Sequence, residues 1–395
     1  MFHFLLLKKV YALSLKNQIH LLEFETRLRT ITLQKKIVAI LSVAHDLGDK
    51  RVHRLTEALI ESGTSVHVYG IGDIANAPKD ALCFTTHKRN YLRRAIRALY
   101  LPFLVKADAF LIVDPDLALS ALLARRLRRV SLLVCDIHEN YLDALKDRDW
   151  ANGIAGFFGR LAARSSSWVA SKSDFTLVAD MHIQPMSAPR RIVVQNMPKF
   201  EGQPNSPQSL SHPPKAVYIG DVRKSRGIFE MVNAIKSSDP WELDVDGPIH
   251  PSIQAEIKVL SSSCTRIRFH GRLSPSATQI IAHGANVGIC FLHETPAFSE
   301  AMPTKIYEYA ASGKAIITSH LSRPAAFVSE NKIGTVASGE DSISSTLMHW
   351  YANPDILATY QENARTWATR NASEPDPFID ATNQITKLLN QRTHA

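Results

Sequence analysis

From Lys36 onward the chain alternates short, continuous apolar runs with longer stretches whose apolar residues recur three and four apart. The runs KIVAILSVA (36–44), SVHVYGIG (65–72), AFLIVD (109–114), SLLVCDIH (131–138) and FTLVAD (175–180) predict buried strands. The stretches between them predict helices, the first through Arg51–Glu61 and closed by Gly63. Such alternation gives a parallel sheet covered by helices on both faces, which binds ligands at the carboxyl ends of its strands. Glu201–Pro214, EGQPNSPQSLSHPP, breaks the pattern. Its Pro, Ser and Gln content and near absence of apolar residues predict a linker. The alternation then restarts with KAVYIGD, WELDVDG, RIRFHG, NVGICFL, KAIITS and IGTVAS, and residues 342–391 predict several amphipathic helices. The 395 residues therefore divide into two doubly wound α/β domains, because one ordinary core does not grow to that length.

The stretch EAMPTKIYEYAASGKAIIT (300–318) carries the most chemistry. Pro303 suits the first turn of a helix, and Gly313 the position just past its end. Glu300 then sits on a loop at the helix mouth, beside backbone N–H groups that favour anions. Glu308 projects from inside the helix, about 7–8 Å along its axis. This arrangement suits a diphosphate at the N–H groups, a sugar near Glu300 and a ribose near Glu308, whose carboxylate can accept from two vicinal hydroxyls. YIGDVRKSRGIFEMVNAI (218–235) follows the linker as strand, basic loop and helix. Arg223, Lys224 and Arg226 can reach a diphosphate there, and Gly227 lets the backbone approach closely. Taken singly, both patterns also fit ordinary solvated surface.

With its flanks, the 300–318 stretch resembles the E-x7-E region of glycosyltransferase family 4, retaining enzymes whose members often read P-x-K-x-Y/F-E-Y-x-A-x-G-K-x-V/I at this point. The resemblance covers most of the chain. It implies the GT-B architecture, two Rossmann-like domains facing a central cleft, here 35–200 and 215–377. Residues 1–34 would be an N-terminal extension, either a peripheral anchor or a misassigned start. The last helix (378–395) would cross back onto the first domain. The resemblance also implies a nucleoside diphosphate sugar donor, UDP ahead of GDP, with Glu300 facing the sugar and Glu308 holding the ribose. The basic loop is similar to the family's G-R-x-x-x-x-K-G, but Asp221 stands where an arginine is common. That leaves open which of Arg223, Lys224 and Arg226 meets the phosphate. LLVCDIHENY (132–141) looks like the family's D-x-H-E stretch, which implies that His138 approaches the donor sugar. A lone histidine at a strand end is otherwise a capping or core residue. HDLGDKRV (45–52) resembles a bacterial subgroup that builds surface polysaccharides. It makes His45, Gly48 and Arg51 candidates for acceptor or donor contact, while Asp49 suits helix capping. The implied reaction is hexosyl transfer with retention to an acceptor hydroxyl, using no enzyme nucleophile, no metal and no other cofactor.

A net charge of +9 calls for an anionic partner. Between Thr85 and Ala107 there is no acid, and Lys88, Arg89, Arg93, Arg94, Arg97 and Lys106 flank an apolar stripe containing Leu92, Ile96, Leu99 and Phe103. That pattern fits a membrane-surface helix or an ordinary packed one, with Pro102 placed to end or kink it. No run reaches the roughly 18–20 apolar residues of a transmembrane helix. The expected setting is therefore the cytoplasm, peripheral at the inner face of the membrane, with a lipid-linked saccharide as acceptor. Nucleic acid is not an expected partner, because no motif interleaves stacking aromatics with basic residues. Four cysteines stand far apart in apolar surroundings and predict reduced, buried thiols. Asp114-Pro115-Asp116 and Asp244-Val245-Asp246 match the D-x-D metal motif of the other main glycosyltransferase fold. A GT-B nucleotide-sugar 2-epimerase and a non-catalytic partner subunit remain the other readings.

Overall fold

The computed structural model describes residues 35–86, 91–128, 130–146, 151, 153–200, 210–296 and 298–393. The 1–34 extension, Lys88, Arg89 and residues 201–209 of the expected linker lie outside the described residues.

The first sheet is built from β1 (Ile37–Asp46), α1 (Lys50–Glu61), β2 (Ser65–Ile71), β3 (Leu82–Thr86), α2 (Tyr91–Leu104), β4 (Ala109–Ile112), α3 (Ala118–Arg128), β5 (Leu132–Ile137), α4 (Tyr141–Lys146), α5 (Ile154–Ala170), β6 (Phe175–Val178) and β7 (Arg191–Val193). Its seven strands run in the order β3-β2-β1-β4-β5-β6-β7, and β1 pairs in parallel with both β2 and β4. Two of these strands, β3 and β7, escape the sequence pattern. Both lie at sheet edges, where one side needs no cover, and β3 leaves Leu82 and Phe84 exposed.

Strand order reverses at β1, so α1 covers one face of the sheet while α2 and α3 lie side by side on the other, as right-handed crossovers require. α2 runs through Pro102 without ending. The proline takes away the donor that Ala98 O would have had, and the Ser120 hydroxyl of α3 donates to that carbonyl instead, at 2.5 Å. The basic flank expected on α2 is turned to internal use in part, while Arg93 and Lys106 stay exposed. Arg94 forms an ion pair with Asp116 at 2.6 Å, and Arg97 is buried with its guanidinium on the Thr86 hydroxyl. The outward face instead carries Leu92, Ile96, Leu99 and Leu104.

The second sheet follows with β8 (Lys215–Ile219), α6 (Ile228–Lys236), β9 (Glu242–Asp246), α7 (Gln254–Ser263), β10 (Ile267–Gly271), α8 (Pro275–Gly284), β11 (Val287–Cys290), α9 (Thr304–Ala311), β12 (Ala315–Ser319), α10 (Ser322–Glu330) and β13 (Gly334–Ala337). Three helices close the chain: α11 (Glu340–Ala352), α12 (Pro354–Ala372) and α13 (Pro377–Thr393). The six strands run β10-β9-β8-β11-β12-β13, all paired in parallel. Tyr218, Met231, Trp241, Ile289, Ile317 and Trp350 are fully buried between this sheet and its helices. The Trp241 indole finds its partner in Leu347 O at 2.9 Å, as a buried N–H must.

The chain divides into two compact units, one reaching Cys135 and including Ala381–Ala395, the other Asp136–Asp380. In the first unit α13 packs on α1, where Thr382 donates to Ala58 O at 3.1 Å and Ser62 and Thr386 hydroxyls meet at 3.0 Å.

Candidate active site

The second sheet reverses direction between β8 and β11, the position at which doubly wound sheets open a crevice for ligands. The basic loop follows β8 and the Glu300 segment follows β11, so the two stretches singled out in the sequence flank one switch point. They are tied together: His293 N donates to Ser225 O at 3.0 Å, and the His293 ring meets Glu230 Oε1 at 2.8 Å.

The centre of the arrangement is Gly220, just past β8. A Cβ built there would lie 2.5 Å from Lys305 Nζ and 3.7 Å from Arg226 Nη1. Only a glycine, with its φ of 137°, leaves room for two cations over the backbone. Lys305 stands in the first turn of α9, 7% exposed, with Nζ 4.2 Å from the Tyr218 ring centroid and no hydrogen-bond partner. Arg226 lies 5.7 Å from the Phe298 ring, and its Nε is buried and equally without a partner. Below them burial pushes the Cys290 thiol up, with Lys305 and Arg226 pulling the other way. A buried ammonium without an anion is costly by several kcal/mol. This cradle is therefore built to receive negative charge, and the N-terminus of α9 adds its dipole.

The remaining candidates divide. Arg223 turns back onto Asp221 at 2.9 Å, and Lys224 is exposed. Gly227, at φ 63°, begins α6 where a Cβ would strike Phe291, so its role is close packing of the loop. Glu308 is half-buried on α9 and Glu300 is exposed. Glu300 is fixed through its backbone, since its carbonyl accepts from Arg323 Nη1 at 2.7 Å while Arg323 also pairs with Asp180. Burial pushes the nearby Tyr307 hydroxyl up to about 12. His138 lies past β5, edge-on to Tyr141 with ring centroids 5.9 Å apart. Lys305 was missed in the sequence although it sits inside the matched motif. The usable signal was a lysine in the first turn of a helix whose neighbours, Ile306, Tyr307 and Tyr309, are all apolar.

His45, Gly48 and Arg51 belong to the first sheet's own switch point, between β1 and β4. Here Asp114 closes the loop. Its Oδ2 accepts from Ser42 Oγ at 2.7 Å, Val43 N at 2.6 Å and Ala44 N at 2.9 Å, and its Oδ1 takes His45 Nδ1 at 2.6 Å. Burial alone would raise this carboxyl, but the His45 ring and the bonds from Ser42 and Val43 hold it well below the usual range. An ionised Asp114 only accepts, so His45 Nδ1 carries the hydrogen. Gly48 N donates to Asp46 Oδ1 at 2.9 Å, Arg51 is buried, and Asp49 caps α1 through Arg51 N and Val52 N.

Both D-x-D pairs are spent on protein groups. Asp116 holds Arg94; Asp244 accepts from Arg268 Nε at 3.1 Å and meets His270 Nε2 at 2.8 Å; Asp246 accepts from Leu273 N and Thr278. Among the described residues no group of three or more His, Cys, Asp or Glu is placed to share a metal ion. The cysteines are free, with Cys135 and Cys290 buried and Cys83 and Cys264 half-buried.

No family model and no curated protein matches the chain. Solved structures do. The fold is similar to sucrose-phosphate synthase from Thermosynechococcus elongatus, with a TM-score of 0.65 at 13% identity over 91% of this chain and 99% of that one. It is similar to HepE of Anabaena in complex with UDP and glucose, at TM-score 0.64 and 12% identity over 91% and 100%. WaaG, a glycosyltransferase involved in lipopolysaccharide biosynthesis, matches at TM-score 0.59 and 14% identity over 89% and 99%. At these identities the likeness is one of fold: two Rossmann-like parallel sheets in the GT-B arrangement of elements.

Proposed function

We propose that the protein is a nucleotide-sugar glycosyltransferase, and the observation that carries this reading is the Lys305–Arg226 cradle over Gly220. A diphosphate is the ligand chemistry that answers two convergent cations, each with a buried nitrogen free of hydrogen bonds, beside a helix N-terminus. The negative charge that develops on a departing diphosphate would be met by groups already in place, which is electrostatic preorganisation. Lys305 and Arg226 take the phosphate role, with Arg223 and Lys224 as outer contributors. Glu308 holds the ribose, Glu300 and His138 orient the sugar, and Gly48, His45 and Arg51 serve the acceptor or donor. UDP is favoured over GDP; HepE, of the same fold, has been seen with UDP-glucose. Transfer proceeds with retention to an acceptor hydroxyl whose proton passes to the leaving phosphate, with no metal required. The acceptor is a lipid-linked saccharide for surface polysaccharide, reached by a cytoplasmic protein at the inner face of the membrane. Among the described residues no helix is long and apolar enough to cross a membrane.

One neighbour, a UDP-N-acetylglucosamine 2-epimerase of Listeria monocytogenes at TM-score 0.53 and 11% identity, keeps an acceptor-free reaction as the second reading. Calorimetric titration with UDP and GDP in chelator tests the donor site. Binding of one nucleotide that is weakened in Lys305→Met and Glu308→Ala is expected. Absence of binding by either nucleotide would overturn the transferase and epimerase readings together and leave the partner subunit. Incubating the UDP-sugar alone then separates the two enzymes, since only an epimerase converts it without acceptor.

A further inference from the structure

The layer formed by α2 and α3 has two sides. Toward the sheet it buries Ala98 and Leu101 from α2, and Ala118, Ala121, Leu122 and Ala124 from α3. Away from the sheet it presents leucine. Leu92, Leu99 and Leu104 on α2 and Leu127 on α3 are 66–68% exposed, and Ile96, Leu119 and Leu123 are 50–51% exposed. The spacing 92, 96, 99 and 119, 123, 127 keeps each set on one helical stripe, and the two helices are packed side by side on the same face of the sheet. A contiguous exposed ridge of this kind marks an interaction surface.

We infer that this double leucine ridge is a bilayer-docking surface, holding the protein on an anionic membrane by inserting aliphatic side chains at the interface. Charge selects the occupant. Neither helix contains an acidic residue, and exposed Arg93, Lys106 and Arg126 border the ridge where lipid phosphates would lie. Tyr100, 43% exposed beside Leu99 and Leu104, offers the amphipathic ring that settles at headgroup depth. The contact is mainly apolar rather than electrostatic, because Arg94 and Arg97 are held by Asp116 and Thr86. The inference rests on the membrane part of the proposed function and is independent of the donor site.

The test is co-sedimentation of the full chain with phosphatidylcholine–phosphatidylglycerol vesicles and with pure phosphatidylcholine vesicles. Variants are Leu99→Gln with Leu123→Gln, and Arg93→Gln with Arg126→Gln. Glutamine keeps helix propensity, so the leucine variant is expected to fold, which its thermal melt and unchanged UDP titration check. The wild type should bind the anionic vesicles, and the leucine pair should lower partitioning about ten-fold or more. The arginine pair should lower it less, and binding should largely survive about 0.5 M salt, where surface charge is screened within a few Å. Unchanged binding by the leucine variant, or its abolition by salt alone, would overturn the ridge while leaving a membrane role standing. No binding by the wild type to either vesicle would overturn both. A lipid-free dimer by sedimentation velocity, lost in the leucine variant, would assign the ridge to a second copy and overturn the proposal.

Discussion

The two switch points of this molecule are alike in topology and opposite in chemistry. At β1/β4 a buried acid, Asp114, has every acceptor used: a hydroxyl, two backbone N–H groups and a histidine ring. At β8/β11 a buried base, Lys305, and the Nε of Arg226 have no hydrogen-bond partner and meet only the rings of Tyr218 and Phe298. The first is a finished piece of structure that gives a loop its shape. The second presents buried positive charge at a strand-order reversal, where an anion could be received. Buried charge alone therefore does not mark a ligand site; its bonding and its place in the fold must be read together.

The largest effect should come from the closed side. Asp114→Ala removes the acceptor of Val43 N and breaks the bonds from Ser42, Ala44 N and the His45 ring, and should cost about 3–5 kcal/mol in chemical denaturation. The open side should behave in reverse. Lys305→Met removes a charge with no partner, so stability should hold or rise by about 1 kcal/mol, while UDP affinity falls roughly ten- to hundred-fold. If Lys305→Met were as destabilising as Asp114→Ala and left UDP binding intact, the contrast would collapse. Glu308→Ala sharpens it further: UDP should bind about ten-fold more weakly, but inorganic pyrophosphate should bind as before, because only the ribose has lost its acceptor. Lys305→Met should weaken both ligands.

The smallest effect is a pH dependence. The folded pKa of Asp114 lies below its unfolded value of about 3.9. Its contribution is thus fully present above that value and is lost as the pH falls below it toward the folded pKa. Wild-type melting temperature should drop through this acid window more steeply than that of Asp114→Asn, which carries no such proton. Parallel acid limbs in the two proteins would remove Asp114 as a source of acid sensitivity.

The same contrast explains what the sequence could convey. All six strands of the second sheet are legible, because each is a compact run bounded by glycine or polar turns, apolar in KAVYIGD and NVGICFL and alternating in WELDVDG and RIRFHG. In the first sheet β3 and β7 are not, since an edge strand such as LCFTT needs no continuous apolar run. At the site, Glu300, Glu308 and the basic loop announce themselves by spacing and glycine placement. The sorting of the cations does not. Whether Arg223 faces outward or folds onto Asp221 is decided by side-chain packing, which no spacing records. Lys305 and Lys314 stand in one motif and are both buried, yet Lys314 donates to His283 O at 2.9 Å whereas Lys305 has no hydrogen-bond partner. Only the three-dimensional environment tells the hydrogen-bonded lysine from the one that lacks such a bond. Two members of the basic flank of α2 are hard to place for the same reason, since Arg94 and Arg97 look solvent-facing until Asp116 and Thr86 are brought beside them.

The return of α13 to the first unit has a consequence for how the protein is made. Synthesis proceeds from the amino terminus, so the strands and helices of the first unit leave the ribosome early, but the helix that bonds Ala58 and Ser62 of α1 leaves only after the second sheet. The unit that emerges first is completed only after the other unit has been translated, so the usual order of domain-by-domain folding during synthesis does not hold here. Until release, the α13-binding side of α1 stays bare, and a nascent chain stalled before Pro377 is expected to be the form most dependent on chaperones.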